Sequence, residues 1–320
     1  MRGAVFRNRM RCRMERSNGA EKGKGSVMLR LDNFVEDACR LFADRQDNIM
    51  EVPASLMARA ATEDCPEPQS KTMQVFAPVL VGVAAADDPI FREFREPHVI
   101  GEGFIPPSEW LEGAASVVSV FFPFAKEVCI TNRHPGEASP EWQYAKYRGT
   151  QLIGAFCTQL CEELRESGWE ALMPVASERF GFSQNPCECD GEADFEVCSA
   201  WSERHAAYAC GLGTFGLSRG LITRSGMAGR FGSIITTAPI APTPREYTDI
   251  YEWCTFCGAC VKRCPVDAIS LIDGKRNTLC SDWCKALPDG SVYGDACGKC
   301  QVGVPCSTRK PVSLKPKPRR

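Results

Sequence analysis

Apolar residues recur along this chain with two different periods. From Leu29 to Phe42 they fall at Leu29, Leu31, Phe34, Val35, Ala38, Leu41 and Phe42, the spacing of one helix face. Residues 75–84 are apolar and valine-rich and predict a strand. Residues 116–122 predict another, ended by Pro123, inside the longest apolar run of the chain, Val117 to Phe124. Residues 150–164 return to the helical period, with Leu152, Ile153, Phe156, Leu160 and Leu164 on one side, and Gly168-Trp169 stops the helix. A strand over 171–175, a helix over 202–210 with Ser202 as its N-cap, and a β-branched strand over 231–237 follow. This alternation up to about residue 240 predicts an α/β layer architecture. The remainder predicts a separate, loop-rich domain fixed by metal.

The ends differ from the middle. Residues 1–25 carry eight Lys/Arg against two Glu and few large apolar residues, and residues 307–320 carry six Lys/Arg, three prolines and no acid. Neither composition can pack a core, so both predict solvated extensions, with Met28 an alternative start for the folded protein. The expected organisation is a basic extension at 1–27, an α/β core at 28–248, a cluster domain at 249–306 and a basic tail at 307–320. A net charge of −2 sets up no general field for nucleic acid or anionic membrane. No uninterrupted apolar stretch reaches about 18 residues, the length of a spanning helix. With no signal peptide at its start and an odd count of cysteines, the chain reads as a cytoplasmic protein of a reducing compartment.

Cysteine then decides the chemistry. Nine of the 19 cysteines lie between Cys254 and Cys306, and the first four read C-T-F-C-G-A-C-V-K-R-C-P. Cys254, Cys257, Cys260 and Cys264, followed by Pro265, have the spacing that holds iron–sulfur clusters in bacterial ferredoxins, in which the fourth cysteine serves the other cluster. Two cubanes need eight thiolates. The expected sets are Cys254, Cys257, Cys260 and Cys306 for one, and Cys264, Cys280, Cys297 and Cys300 for the other. Cys284 is left over and can exchange with Cys280. A zinc ribbon also uses paired C-x-x-C units but needs four cysteines, not nine.

Other motifs carry less. Gly211-Leu212-Gly213-Thr214-Phe215-Gly216 spells G-x-G-x-x-G, yet it follows a helical stretch where the dinucleotide fingerprint requires a strand. His205 and Tyr208 share a helix face and are candidate proton donors; core packing is the alternative for both. Arg204 and Arg230 are candidates for holding an anionic group. Cys187, Glu188, Cys189 and Asp190, with Cys198 nearby, read as an acidic surface loop or a second metal site.

The run W-S-E-R-H-A-A-Y-A-C-G-L-G-T-F-G-L-S-R-G-L-I-T, then G-R-F-G-S-I-I-T-T, then C-x-x-C-x-x-C-x-x-x-C-P, resembles the epoxyqueuosine reductase-like iron–sulfur proteins, relatives of the reductive dehalogenases. The resemblance covers roughly residues 75–306. It implies a nitroreductase-like α/β core able to hold cobalamin, fed by a ferredoxin-type two-cluster domain. Gly211, Gly213, Gly216, Gly229, Gly232 and Ser233 would line or support the corrinoid cavity. The family also has a proton-donor aspartate followed by S-A-P on a strand before the G-L-G helix. The stretch read as corresponding, Leu172 to Ser177, has no acid, and the second cysteine motif lacks the family's C-P-W-N ending, as in a divergent branch.

Two function classes follow. One is a reductase acting on a small or nucleotide-like substrate, with a ferredoxin or flavodoxin as electron donor. The other is a non-catalytic electron carrier that docks a redox partner.

Overall fold

The computed structural model describes Asn33, Asp37 and residues 48–58, 70–189, 192–286 and 297–312. The helix expected from Leu29 to Phe42 lies outside the described residues apart from Asn33 and Asp37, as do most of the first extension and the end of the tail.

In chain order the strands of the core are β1 (Ile49–Val52), β2 (Lys71–Gln74), β3 (Leu80–Ala85) and β4 (Ser116–Pro123). Helices α1 (Lys126–Thr131) and α2 (Pro140–Glu166) come next, then the short β5 (Ala171–Leu172). A hairpin of β6 (Phe182–Cys189) and β7 (Glu192–Ser199) leads to α3 (Glu203–Ala209). A second hairpin, β8 (Gly213–Phe215) and β9 (Leu221–Thr223), precedes β10 (Gly229–Thr236). The cysteine-rich segment holds α4 (Ala259–Arg263), β11 (Ile269–Ser270), β12 (Gly274–Lys275) and α5 (Asn277–Ala286).

The central sheet has the order β3-β4-β10-β5 and is antiparallel throughout, so the fold is mixed α/β. All eight residues of β4 are buried, because helices and loops cover both of its faces. Val118, Val120 and Phe122 point to the α2 side, and Val117 and Phe121 point to the α3 side, as the period of two requires. On α2 the apolar stripe Leu152, Ile153, Phe156, Leu160 and Leu164 packs on the first face. At about 1.5–3 kcal/mol per buried side chain, that stripe contributes on the order of 10 kcal/mol before entropy. Gly232 of β10 allows the approach: a Cβ there would lie 2.6 Å from Ile153 and 2.9 Å from the Cys157 sulfur.

Helix α2 begins ten residues before the expected start at 150. Ser139 accepts a hydrogen bond from the Trp142 amide and Pro140 sits in the first turn, an N-terminal signal that the apolar period does not carry. Of the strand expected over 75–84 only the later part forms, as β3: β2 ends at Gln74, and the stretch with Pro78 makes only the isolated bridge of Phe76 with Phe124. The one over 171–175 shortens because Pro174 opens a 3-10 turn. No helix among the described residues is long and apolar enough to cross a membrane.

The cysteine-rich segment is tied to the core by backbone and side-chain bonds. Met227 and Ala228 donate their amides to the carbonyls of Cys306 and Ser307 (2.9 Å each). Trp253 donates its amide to Thr214 Oγ1 (2.9 Å), and Arg263 donates to the carbonyls of Arg133 (2.9 Å) and Lys299 (3.0 Å). Lys299 is fully buried and donates from Nζ to Asn132 Oδ1 (3.0 Å) and the His134 carbonyl (2.8 Å), at the end of α1.

Candidate metal centre

The loop from Cys254 to Cys260 curls because two of its residues are left-handed, Phe256 (φ 49°) and Gly258 (φ 72°). Gly258 is the N-cap of α4, and a glycine there adopts that geometry without the strain a Cβ brings. Cys254 is buried beside Trp253, Cys260 and Cys264 are half-buried, and Cys257 is exposed. The curl brings Cys254, Cys257 and Cys260 to one small apolar-walled cavity. Cys306, contributed by the returning C-terminal segment, lines the same cavity, and its other wall is core chain from Gly216 to Met227.

Electrostatics group the remaining thiols. Burial, then Cys254 and Cys257, push the Cys260 thiol up to about 11. Burial, then Cys254, Cys260 and Cys257, push Cys306 up to about 12. Cys300 is pushed up to about 12 by burial, with Lys275 opposing and Cys297, Cys280 and Cys260 adding. Cys297 is likewise raised by burial and by Cys280, while the Lys299 amide lowers it. Two sets emerge that meet where Cys260 acts on Cys300. Cys264 accepts a hydrogen bond from the Ala268 amide (3.2 Å), and it packs with Cys260, Cys300 and Cys306 against Leu217, Ile222, Met227 and Trp253.

Of the two exchangeable cysteines on α5, Cys284 is buried. Cys280 is half-buried and is the one that raises Cys297 and Cys300. Thiols pressed together out of water lose protons readily only to a metal, so these residues suit thiolate-bound clusters. No three His, Cys, Asp or Glu side chains among the described residues converge as ligands of one metal ion. A cubane instead takes its sulfurs from around a larger cage.

Asp194 of β7 holds α5 in place. Its carboxylate accepts from the Asn277 amide (3.1 Å), the Thr278 amide (2.7 Å) and the Thr278 hydroxyl (2.9 Å), and Asn277 donates to the Phe195 carbonyl (2.7 Å). Burial raises this carboxyl, but the hydrogen bonds from Thr278, Phe195 and Asn277 outweigh it and lower the net value. The segment read as a surface loop or metal site is therefore a hairpin that caps a cluster-domain helix. Cys187 pairs in register with Asp194 and Ser183 with Cys198, so Cys187 and Cys198 stand four residues, roughly 13 Å, apart and do not form one site.

Around α3 the candidate donors separate. His205 Nδ1 pairs with Ser202 Oγ (2.8 Å), and its ring lies between Phe94 and Phe215 at 5.1 and 4.8 Å. Burial, then Arg204, push the imidazole down to about 3, so it is neutral at neutral pH. Ser202 spends its hydroxyl on this contact and makes no side-chain cap bond. Tyr208 stacks near Tyr247 and Phe215, and burial raises its phenol. Glu203 is the one acid in the quoted run. Both of its carboxyl oxygens are sealed from water, with the Ser233 hydroxyl the polar group beside them. Burial pushes it up to about 7, with Ser233 and Arg230 opposing.

The glycines expected to surround a corrinoid are closed against the protein itself. A Cβ on Gly213 would meet the Ile222 carbonyl at 2.0 Å, and one on Gly229 would meet the Phe122 carbonyl at 2.4 Å. Gly211 abuts residues 243–244, and Ser233 accepts from Trp201 Nε1 (2.8 Å). Gly216 alone among them lines the cysteine cavity. These contacts are packing, and the Cβ sides of these residues offer no cradle for a corrinoid. The strand that enters α3 is β7, not β5, and its end reads Val197-Cys198-Ser199, which also lacks an acid.

Comparison with known proteins adds a domain and a set of likenesses. No curated protein matches the chain. Among solved structures, a catabolic reductive dehalogenase is similar at 17% identity and TM-score 0.48, over 73% of this chain and 30% of that one. An epoxyqueuosine reductase is similar at 16% identity and TM-score 0.47, over 91% of this chain and 69% of the other. The Bacillus subtilis epoxyqueuosine reductase is similar at 19% identity and TM-score 0.42, over 74% and 64%. The chain thus spans under a third of the dehalogenase, and likeness at this level carries no argument about chemistry. Both families that the sequence resembles are nevertheless represented. The match that names a function is local: residues 247–270 fit the model of the 4Fe-4S binding domain.

Proposed function

We propose that this chain is an iron–sulfur reductase of the epoxyqueuosine reductase-like type, passing electrons through two 4Fe-4S clusters to a substrate held by the α/β domain. The observation that carries the reading is the meeting of Cys254, Cys257 and Cys260 with Cys306 on one cavity whose far wall belongs to the core. Those four residues would hold one cluster, and Cys264, Cys280, Cys297 and Cys300 the other. When bound, the clusters supply electrons one at a time.

The chain's own residues set the route. Cys257 is exposed, which suits entry of electrons from a ferredoxin or flavodoxin on that side. Cys260 and Cys300 pack against the same apolar cluster as Tyr208 of α3, so the second set adjoins that helix. A small or nucleotide-like substrate bound there is within the reach of the cluster domain. Protons fall to Glu203 in place of His205, since the neutral imidazole is too weak an acid at neutral pH. One similar structure is described as B12-dependent; here no step is routed through a corrinoid, because the glycines expected to receive it are packed on protein.

Electron paramagnetic resonance of the anaerobically purified, dithionite-reduced protein tests the electron path. Two interacting cluster signals are expected. A single isolated signal, or none, removes the two-cluster route. Adding cobalamin and recording the visible spectrum tests the alternative acceptor directly.

A further inference from the structure

A buried cation stands beside the second cysteine set. Lys299 lies between Cys297 and Cys300 in the chain and is 2% exposed. Its Nζ donates to the His134 carbonyl (2.8 Å), to Asn132 Oδ1 (3.0 Å) and to the Asn132 carbonyl (3.4 Å). Three acceptors around one nitrogen call for three N–H groups, so the group held there is the ammonium. The loop that carries it is pinned to the core. Asn132 is fully buried, donates from Nδ2 to the Cys297 carbonyl (2.9 Å) and accepts at Oδ1 from the Ser139 amide (3.1 Å). Gly298 is left-handed (φ 61°), and a Cβ on it would lie 2.2 Å from the Trp142 ring. The ammonium therefore keeps one place. Its path through the Asn132 amide to the Cys297 backbone is on the order of 8 Å, about a Debye length at physiological salt.

A charge taken out of water destabilises a fold unless an opposite charge offsets it. Carbonyl oxygens fill the hydrogen bonds of Lys299 but carry no net charge. Among the described residues, Lys299 forms no ion pair with a carboxylate. Arg263, which donates to the Lys299 carbonyl (3.0 Å), adds a second positive charge. The anions that fit are the metal-bound cysteines themselves. Cysteine binds metal as the thiolate, and Cys297 and Cys300 flank Lys299.

We propose that Lys299 is the fixed counter-charge of the second cluster and raises its reduction potential. A positive charge held beside a cluster favours the reduced form, which carries one more negative charge, and burial keeps solvent from screening it. Lys299 thereby biases electron passage inward, from the set that includes the exposed Cys257 to the set that includes Cys300. Its role is to set a potential, and it touches neither substrate nor proton. The inference rests on the two-cluster reading above.

The test is a redox titration of anaerobically purified full-length protein, followed by electron paramagnetic resonance, with iron measured on every sample. Lys299→Gln keeps a donor for the same oxygens and removes the charge, whereas Lys299→Arg keeps the charge. In Lys299→Gln one of the two midpoints should fall at unchanged iron content. The expected change is about tenfold in the ratio of reduced to oxidised cluster at a fixed potential, or about 59 mV for one electron. Lys299→Arg should stay near wild type. Unshifted midpoints in iron-loaded Lys299→Gln overturn the inference and leave Lys299 a packing residue, as does an equal fall in Lys299→Arg. Should Lys299→Gln fail to hold iron, retention of iron in Lys299→Arg supports the charge, and loss in both variants overturns it. Wild type with about four iron per chain and a single midpoint fails the two-cluster reading itself, and the inference falls with it.

Discussion

Replacing Asp194 with alanine should loosen α5 and, with it, the hold on Cys280. The substitution removes one acceptor group from two backbone amides and one hydroxyl at the first turn of that helix. Loss of a capping side chain costs about 0.5–2 kcal/mol, and loss of a carboxylate facing a helix N-terminus adds about 0.3–1 kcal/mol. Water will recover part of the hydrogen bonding, so a net of about 2 kcal/mol is expected, below the sum for three charged bonds. At roughly 2–4 °C per kcal/mol for a chain of this class, the melting temperature should fall by about 4–8 °C. The pH dependence has a definite sign. The folded-state value of Asp194 is lowered, so its contribution is present above the unfolded value and lost as pH falls through the folded one. Wild type and Asp194→Ala should therefore converge in stability in acid. The assay is thermal unfolding of anaerobic protein at pH 7 and pH 3, with hydrogen exchange over residues 277–286. A variant melting within 1 °C of wild type, with unchanged exchange in α5, refutes the capping role.

Further expectations concern single residues. Cys306→Ala should lose about half of the iron, and full iron content would remove Cys306 from the ligands. Cys280→Ala should lose iron and Cys284→Ala should not; the reverse pattern assigns the ligand to Cys284. Glu203 has a raised folded-state value, so burying it costs nothing below its unfolded value and progressively more as pH rises through about 7. Glu203→Gln should then be more stable than wild type by about 1–3 kcal/mol at pH 8.5, a gap that closes only below about pH 4, measured by denaturant titration. Phe156→Ala, at the contact of α2 with the sheet, should cost about 3–5 kcal/mol in the same assay.

What could be seen in the letters follows physical lines. The central strand and the stripe on α2 are continuous or strictly periodic apolar patterns, and those survive into the structure because burial selects them. The meeting of Cys254, Cys257 and Cys260 on one cavity was legible from spacing, because a loop with three evenly spaced cysteines has few ways to wrap. The hairpin β6–β7 was not. Its residues are polar on both faces and include Pro186, and its purpose lies in a contact between Asp194 and Thr278, 84 positions apart. Glu203 was equally silent, since an acid in a first helical turn is the commonest of residues until its neighbours are known to seal it from water. At the glycines close approach was legible but its partner was not, and at Gly213 and Gly229 that partner is the protein's own backbone.

The central claim is that cysteines of the C-terminal segment hold two 4Fe-4S clusters. Iron and acid-labile sulfide analysis of anaerobically purified protein tests it most directly. About eight iron and eight sulfide per chain are expected. About one zinc per chain with neither iron nor sulfide would contradict it.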